Sequence, residues 1–285
     1  MNNKIYNISI SKLHPFENQP YKVLDNEEMD ALVDSIQENG VLSPLLVRGL
    51  ENGEYEVISG HRRLRACEKA ELKTVPVIIS DMSQDEAAIK LVDSNLHREN
   101  ILPSEKAKAY KLKYDALKHQ GRTSGQVVPK SEENRTASEI GEPLGESYKT
   151  VQRYIRLTNL IPELLDLVDK ERIALTPAVE LSYLSEDEQR SLFTTIESED
   201  RTPSLSQAQR LKKLSQSSEL DMDAIYTIMT ESKANEAQKV IFKYDELKRY
   251  FPAHYTPNDI QNSVIRLIQH DFERKQRERG ERDER

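Results

Sequence analysis

The sequence predicts an α+β N-terminal domain with a small sheet, followed by an all-α domain and a small helical C-terminal segment. Over the first hundred residues, short apolar runs typical of strands alternate with segments of helical periodicity. After Pro103 every pattern is helical. A chain of 285 residues with 36% hydrophobic and 32% charged side chains can bury two or three modest cores. We expect domains over 1–100, 101–215 and 220–285.

The N-terminal domain shows helix and strand signals in turn. Apolar residues recur at helical spacing between 24 and 39, where Asn26 can cap the helix and Gly40 can end it. Two apolar runs flank Asn52-Gly53, a dipeptide that favours a hairpin turn. The capping-box pair Ser83 and Glu86 predicts the start of another helix. The predicted strands are 45–47, 55–58 and 75–79, and the predicted helices are 24–39, 62–70 and 83–96.

The region after Pro103 is predicted to be helical throughout. A first helix should end near Gly121, before a polar loop. Further helices are predicted over 136–144, 148–157, 162–169, 177–184, 186–197 and 204–214. Pro143 is unfavourable inside the first of these because it removes a backbone donor. Residues 214–219 are typical of a linker, and two or three helices are expected after them.

Residues 136–157 have the layout of a helix-turn-helix. Ala137, Ile140 and Leu144 give the first helix an apolar face, Gly145 permits a tight turn, and Ser147 can cap the second helix. Three basic residues against one acidic residue between 145 and 160 favour a DNA-reading surface over a merely solvated hairpin. The side chains predicted to contact DNA are Ser147, Tyr148, Lys149, Thr150, Gln152, Arg153 and Arg156.

The stretch 58–70, ISGHRRLRACEKA, gathers cations where an apolar run ends and a helix begins. Gly60 lets the backbone approach a ligand closely, and a helix N-terminus offers free N–H groups to an anion. Arg62 and Arg63 add fork-shaped donors that suit phosphate. Pattern alone still favours the plainer interpretation, in which these arginines are solvated or paired with neighbours such as Glu68.

A second candidate segment, 93–100 (DSNLHREN), lies at the end of a predicted helix. Asn95, His97 and Arg98 could face a ligand there, although such residues at a helix end usually cap it or are solvated. The sequence shows no Walker A loop, no dinucleotide fingerprint, no pair of histidines at metal-ligand spacing and no catalytic-triad pattern. It therefore predicts no catalytic residue from motifs.

The composition narrows the class of protein. A formal net charge of −8 argues against indiscriminate coating of nucleic acid. Cys67 is the only cysteine, so an intrachain disulfide and a cysteine-based zinc site are excluded and a cytosolic location is favoured. No run approaches the roughly 18 apolar residues of a membrane span, and the first residues lack a signal or transit pattern, so we expect no membrane association.

Three segments, in this order, resemble the boxes of the ParB family of chromosome and plasmid partition proteins. They are HPFENQPYKVLDNEEMDALVDSIQENGVLSPLLVR (14–48), YEVISGHRRLRACEKAELKTVPVII (55–79) and LVDSNLHRENILPSEKAKAY (91–110). The helix-turn-helix follows where the family has its own. The resemblance covers about residues 5 to 215, and it implies the fold of the ParB and sulfiredoxin-like N-terminal domain.

The resemblance also implies a function. Family members bind CTP with magnesium, close into a clamp on DNA at a centromere-like site, act with a ParA-type ATPase and form homodimers in the cytoplasm, on the nucleoid or a plasmid. Carried over by position, Gly60, Arg62 and Arg63 would hold the triphosphate and Asn95 would help to place magnesium. The remaining residues assigned to the nucleotide site are Gln19, His61 and Arg98. The segment after Leu220 would serve dimerisation, with an apolar seam of Ile225, Ile228, Ile260, Val264 and Ile268.

The chain departs from the family at three positions. His61 and Ser94 stand where the family commonly has glutamate, and Tyr21 stands where an arginine usually follows Gln-Pro. Because such carboxylates bind magnesium or organise the attacking water, at most a weak CTPase is expected.

Two alternatives stay open. A transcription regulator could use the same scaffold, and a nucleotide-dependent phosphotransferase could use the sulfiredoxin-like fold. Sulfiredoxins place a cysteine between the glycine and the histidine, whereas Gly60 is followed at once by His61.

Overall fold

The computed structural model describes residues 4–96, 98, 101–120, 130–231, 248–252 and 254–283. The chain divides into two compact units, Met1–Glu231 and Ser232–Arg285. The first unit begins with the predicted α+β domain and continues with helices only, so the fold class is confirmed.

The N-terminal sheet has five strands in the order β1-β5-β3-β4-β2. The strands are β1 (Ile5–Ser9), β2 (Leu13–Pro15), β3 (Leu45–Gly49), β4 (Tyr55–Ser59) and β5 (Thr74–Ser80). β3 and β4 form the predicted antiparallel hairpin, with Gly53 at φ 79° in its turn. β3 also pairs in parallel with β5 at the centre of the sheet. The sequence analysis missed β1 and β2, which occupy the two edges.

Three helices pack on this sheet: α1 (Glu27–Asn39), α2 (His61–Lys69) and α3 (Gln84–Asp93). The predicted caps are confirmed, because Asn26 accepts a hydrogen bond from the Met29 N–H at 3.2 Å and Ser83 forms a capping box with Glu86. Consecutive residues of β4 are buried on opposite faces of the sheet: Val57 packs with α1 and α2, and Ile58 packs with α3. Helices therefore cover both faces of the sheet.

The rest of the first unit is helical. Its helices are α4 (Pro103–Gln120), α5 (Lys130–Gly141), α6 (Tyr148–Leu157), α7 (Pro162–Asp169), α8 (Leu175–Leu181), α9 (Glu186–Glu199), α10 (Leu205–Gln216) and α11 (Met222–Thr230). One buried cluster joins Leu91 of α3 to Tyr110 of α4, Ile140 of α5 and Val151 of α6. The α+β domain and the helix-turn-helix thus share a core.

The predicted C-terminal boundary at 220 is wrong in one respect. α11 lies within the first unit, where Ile225 and Ile228 are at most 2% exposed in the core of the helical region. These two residues are therefore not part of an exposed dimer seam. The second unit contains α12 (Pro257–Asp283), in which Ile260 is buried while Ile265, Ile268 and Phe272 are exposed. Dimerisation through this helix stays a prediction. Among the described residues, no helix combines the length and the apolar character that a membrane crossing requires.

Candidate functional site

A cavity of about 280 Å³ opens at the carboxyl end of β4. Three separate segments line it: the loop before α1, the junction of β4 with α2, and the residues after α3. Its lining residues are Gln19, Tyr21, Lys22, Val23, Ser59, Gly60, His61, Arg62, Arg63, Ser94, Asn95 and Arg98. All seven residues that the sequence analysis assigned to a nucleotide site therefore meet at one place. His97, from the second candidate segment, lies outside the described residues.

Gly60 shapes the floor of the cavity. Its φ is 106°, and a Cβ there would lie 3.0 Å from Cγ of Leu45 and 3.1 Å from Nη2 of Arg63. Only glycine takes this conformation without strain. The turn starts α2, whose Leu64 N–H already bonds to the Gly60 carbonyl. The unbonded N–H groups of a helix's first turn provide partial positive charge for an anion.

The arginines of α2 divide into two groups. Arg62 lines the cavity and pairs with Glu28 at 3.0 Å, while Arg63 donates through Nη1 to the carbonyls of Ser43 and Pro44. Arg65 does not line the cavity. Pairs across the start of α1 join Arg65 to Asp25, Arg62 to Glu28 and Lys69 to Asp30. The plainer interpretation is thus correct for Arg65, which also contacts Glu68.

His61 has a structural role that the sequence did not reveal. Its Nε2 accepts a hydrogen bond from the Phe16 N–H at 3.4 Å, and its ring also bonds to the backbone of Val57. Burial lowers the pKa of His61 to about 4, against the opposing effects of Glu56 and the Val57 backbone. The imidazole is therefore neutral at pH 7, and it joins the segment after β2 to β4.

The end of α3 forms the opposite wall. The amide nitrogen of Asn95 donates to the Leu91 carbonyl at 2.8 Å and to Oγ of Ser94 at 3.1 Å. Arg98 is exposed, and the hydroxyl of Tyr21 donates to the Val92 carbonyl at 3.5 Å. Tyr21, in the place of the family's arginine, is 5% exposed and packs into the core that the two domains share.

Magnesium fits this set of donors poorly. Mg²⁺ is usually held by one or two carboxylates together with substrate phosphates. The described residues that line the cavity include no aspartate or glutamate, and Asp93 turns to Lys113 of α4 at 2.6 Å. Nor does any cluster of three His, Cys, Asp or Glu residues with metal-binding geometry occur in the described part of the chain. Among the described lining residues, only Gln19 and Asn95 offer side-chain amide oxygens, and both are neutral.

Buried acidic residues, which the sequence analysis missed, tie the cavity wall to the helical region. Glu105 of α4 accepts hydrogen bonds from the Lys22 N–H at 2.8 Å and from the Leu102 N–H at 3.3 Å. Asp169, the last residue of α7, accepts from the N–H and the hydroxyl of Ser104. The Lys22 ammonium lies 3.7 Å from Asp169. In sequence, these acids look like ordinary surface residues of helix ends.

The predicted helix-turn-helix is present as α5, a 3₁₀ turn over Glu142–Leu144, and α6. Pro143 lies in the 3₁₀ turn and does not interrupt α5, because α5 ends at Gly141. Gly145 has φ 67°, and Ser147 caps α6 by accepting from the Thr150 N–H at 3.2 Å. Glu146, within the turn, is bound by Lys106 and Tyr110 of α4.

The polar side chains of α6 differ in how free they are to contact DNA. Ser147, Lys149 and Arg153 are exposed, and Arg153 bonds to Thr176 of α8 at 3.1 Å. Gln152 donates to Asn134 of α5 at 3.0 Å.

Arg156 is held more firmly, since it donates twice to Ser182 and lies 4.0 Å from the ring centre of Tyr183. It would have to leave these contacts to reach a phosphate. It also lines a larger hollow of about 880 Å³, in which Gln189 satisfies backbone groups of Asn159, Ile161 and Leu184.

Comparison with known proteins adds to this geometry. Residues 1–96 match the family model of the ParB N-terminal domain. The N-terminal domain belongs to the ParB family. The expected ParB N-terminal domain, followed by a helical region, is thereby confirmed. The chromosome-partitioning protein Spo0J of Thermus thermophilus is 32% identical over 184 residues, which cover 65% of this chain and 62% of that protein. A nucleoid occlusion protein of Listeria innocua is 29% identical over 195 residues, 68% of this chain and 63% of that protein.

The chain thus spans less than two thirds of the length of these relatives. Two solved structures of ParB from Caulobacter crescentus, both truncated at the C-terminus, also resemble it. The complex with the centromeric parS site has 22% identity and a TM-score of 0.41, and covers 73% of this chain and 98% of that chain. The complex with CTP-γ-S has 25% identity and a TM-score of 0.32, and covers 68% and 98%.

Proposed function

We propose that this protein binds a specific DNA site through its helix-turn-helix and acts in chromosome or plasmid partitioning, with CTP in the N-terminal cavity controlling its hold on DNA. One observation carries the proposal: three distant segments bring Lys22, Arg62, Arg63 and Arg98 together at the N-terminus of α2. Four cations around a helix N-terminus suit a polyphosphate. The names of the Thermus and Caulobacter relatives support the choice of partitioning and of CTP.

The nucleotide is tested by calorimetric titration of the full chain with CTP, UTP, ATP and GTP. We expect CTP to bind most tightly and Arg62→Ala to weaken it at least tenfold, because the guanidinium lines the cavity. Arg65→Ala is the matched control, since Arg65 lies on the same helix and pairs with the same start of α1 but does not line the cavity. Equal losses in the two variants would contradict the site.

DNA recognition is tested with duplexes selected from a random pool on the parent protein. The double variant Gln152→Ala/Arg153→Ala should bind the selected site with an affinity one to two orders of magnitude lower, since each base contact contributes about 1–3 kcal/mol. Its affinity for a scrambled duplex should change little. Arg190→Ala is the control for lost charge, because Arg190 is an exposed residue of α9 that pairs within its own helix. Unchanged affinity of the double variant would show that α6 does not read DNA.

We further propose a homodimer and a ParA-type ATPase as partners. Crosslinking of the full chain and stimulation of the purified ATPase would test them. The Listeria relative favours a second role, nucleoid occlusion. Loss of the chromosome or plasmid on deletion of the gene supports partitioning, whereas division across the nucleoid supports occlusion. A sulfiredoxin-like reaction is disfavoured because Cys67 is fully buried among core residues and does not line the cavity.

A further inference from the structure

We propose that this cavity binds its nucleotide without a divalent metal ion and does not hydrolyse it, so that the switch works by binding and release. The inference rests on the proposed function and concerns the same site. It separates this chain from the magnesium-dependent behaviour that its family resemblance implies.

Charge is the first argument. The lining includes Lys22, Arg62, Arg63 and Arg98, and the described part of the lining contributes no carboxylate. Four fixed cations already neutralise a polyphosphate, as a metal ion does at other nucleotide sites. A dication placed among them meets like charge on several sides. Two described acids pair with these cations, Glu28 with Arg62 and Asp169 with Lys22, but neither acid lines the cavity.

The nearby carboxylates are already engaged. Glu28 pairs with Arg62 at 3.0 Å, and Asp93 pairs with Lys113 at 2.6 Å. Glu105 accepts two backbone N–H groups. Glu56 is 5% exposed and is bound by Arg48 at 2.6 Å. To hold magnesium, each of these carboxylates would first have to give up or share its present partner.

The two departures from the family motif supply no replacement. His61 uses Nε2 as an acceptor for the Phe16 N–H and its other ring nitrogen at the Val57 backbone. It therefore has no lone pair left for a metal ion or for the proton of an attacking water. Ser94 donates its hydroxyl to the Leu91 carbonyl at 2.9 Å. The amide oxygens of Gln19 and Asn95 are neutral, so they supply no negative charge to balance a metal ion.

The test is calorimetry of the full chain with CTP, once in millimolar magnesium chloride and once in EDTA. We expect dissociation constants that agree within about threefold. We also expect no release of phosphate above the rate without protein, with or without duplex DNA. Binding that needs magnesium, or magnesium-dependent phosphate release, would overturn the inference. Glu99 lies outside the described residues, so Glu99→Gln is measured in parallel, and it should behave like the parent in both buffers.

A gain-of-function variant tests the cause. Ser94→Glu places a carboxylate on the cavity wall, so magnesium should then tighten CTP binding at least tenfold over EDTA. Ser198→Glu, on the surface of α9, is the control for added charge and should leave both values unchanged. If Ser94→Glu binds equally in both buffers, the missing carboxylate is not the reason for metal independence. If the parent binds none of the four nucleotides in either buffer, the proposed nucleotide function is wrong. If it binds CTP only with magnesium, the nucleotide function stands and the inference of metal independence is wrong.

Discussion

The ring of His61 provides the sharpest prediction, because its charge state is fixed by its contacts. Burial lowers its pKa from 6.5 to about 4, so the unfolded chain takes up this proton before the folded chain does. The resulting stability is present above pH 6.5 and is lost as the pH falls towards 4. A difference of 2.5 pKa units corresponds to about 3 kcal/mol, of which about 2 kcal/mol is lost between pH 7 and pH 5.

His61→Gln isolates this effect. Glutamine can accept from Phe16 and donate to Val57 but does not titrate. Urea unfolding of both proteins without nucleotide, followed by circular dichroism, should show a parent that loses about 2 kcal/mol more than the variant between pH 7 and pH 5. Imidazole NMR signals that vanish in the variant would give the pKa directly. A His61 that titrates near pH 6.5 with parallel stability curves would refute the reasoning.

Three further predictions follow from the packing. Gly141→Ala places a Cβ against the Glu146 carbonyl oxygen and should destabilise the helix-turn-helix by about 1–3 kcal/mol in thermal unfolding. Gly49→Ala is the control, because a Cβ there has nothing within 4 Å, and equal effects of the two substitutions would contradict the prediction. Glu105→Ala leaves two N–H groups without their carboxylate and should lower the free energy of unfolding by about 1–3 kcal/mol. Glu197→Ala, at an exposed position, is the control, and an unchanged stability of Glu105→Ala would show that the contact is dispensable. Burial raises the pKa of the Cys67 thiol to about 11. Ellman's reagent at pH 8 should therefore react with Cys67 at least a hundredfold faster in urea than in the native protein, and similar rates would show that the thiol is accessible in the fold.

Most of the helices and the central hairpin could be predicted, because their caps and turns are formed by residues that are neighbours in the sequence. The caps at Asn26 and Ser83, the Asn52-Gly53 turn and the Gly145 turn are each made by neighbouring residues. The edge strands β1 and β2 were missed because they are short and depend on pairing with distant partners, β1 with β5 and β2 with β4. The C-terminal boundary failed for a related reason, since the burial of α11 is decided by the helices that receive it.

The membership of the cavity could be predicted, but the contacts of its residues could not. Motif positions indicated which residues meet, and all seven do. Nothing in the order of residues indicates that Arg62 faces Glu28, or that His61 is held by backbone groups on both sides of its ring. The first pairing depends on how α1 packs against α2, and the second on how the segment after β2 lies beside β4. Both are properties of the folded domain.

Helix α4 tolerates no inserted or deleted residue in its first turns, because three of its contacts must keep their relative directions. Between Glu105 and Lys113 it spans about 12 Å, and over that distance it fastens Lys22, Glu146 and Asp93. One residue inserted in the first turn would rotate everything after it by about 100° relative to Glu105. The contact with the cavity wall and the contact with the turn of the helix-turn-helix would then face different directions. In this stretch a side chain can be replaced, but one inserted or deleted residue separates the cavity contact from the contact with the helix-turn-helix.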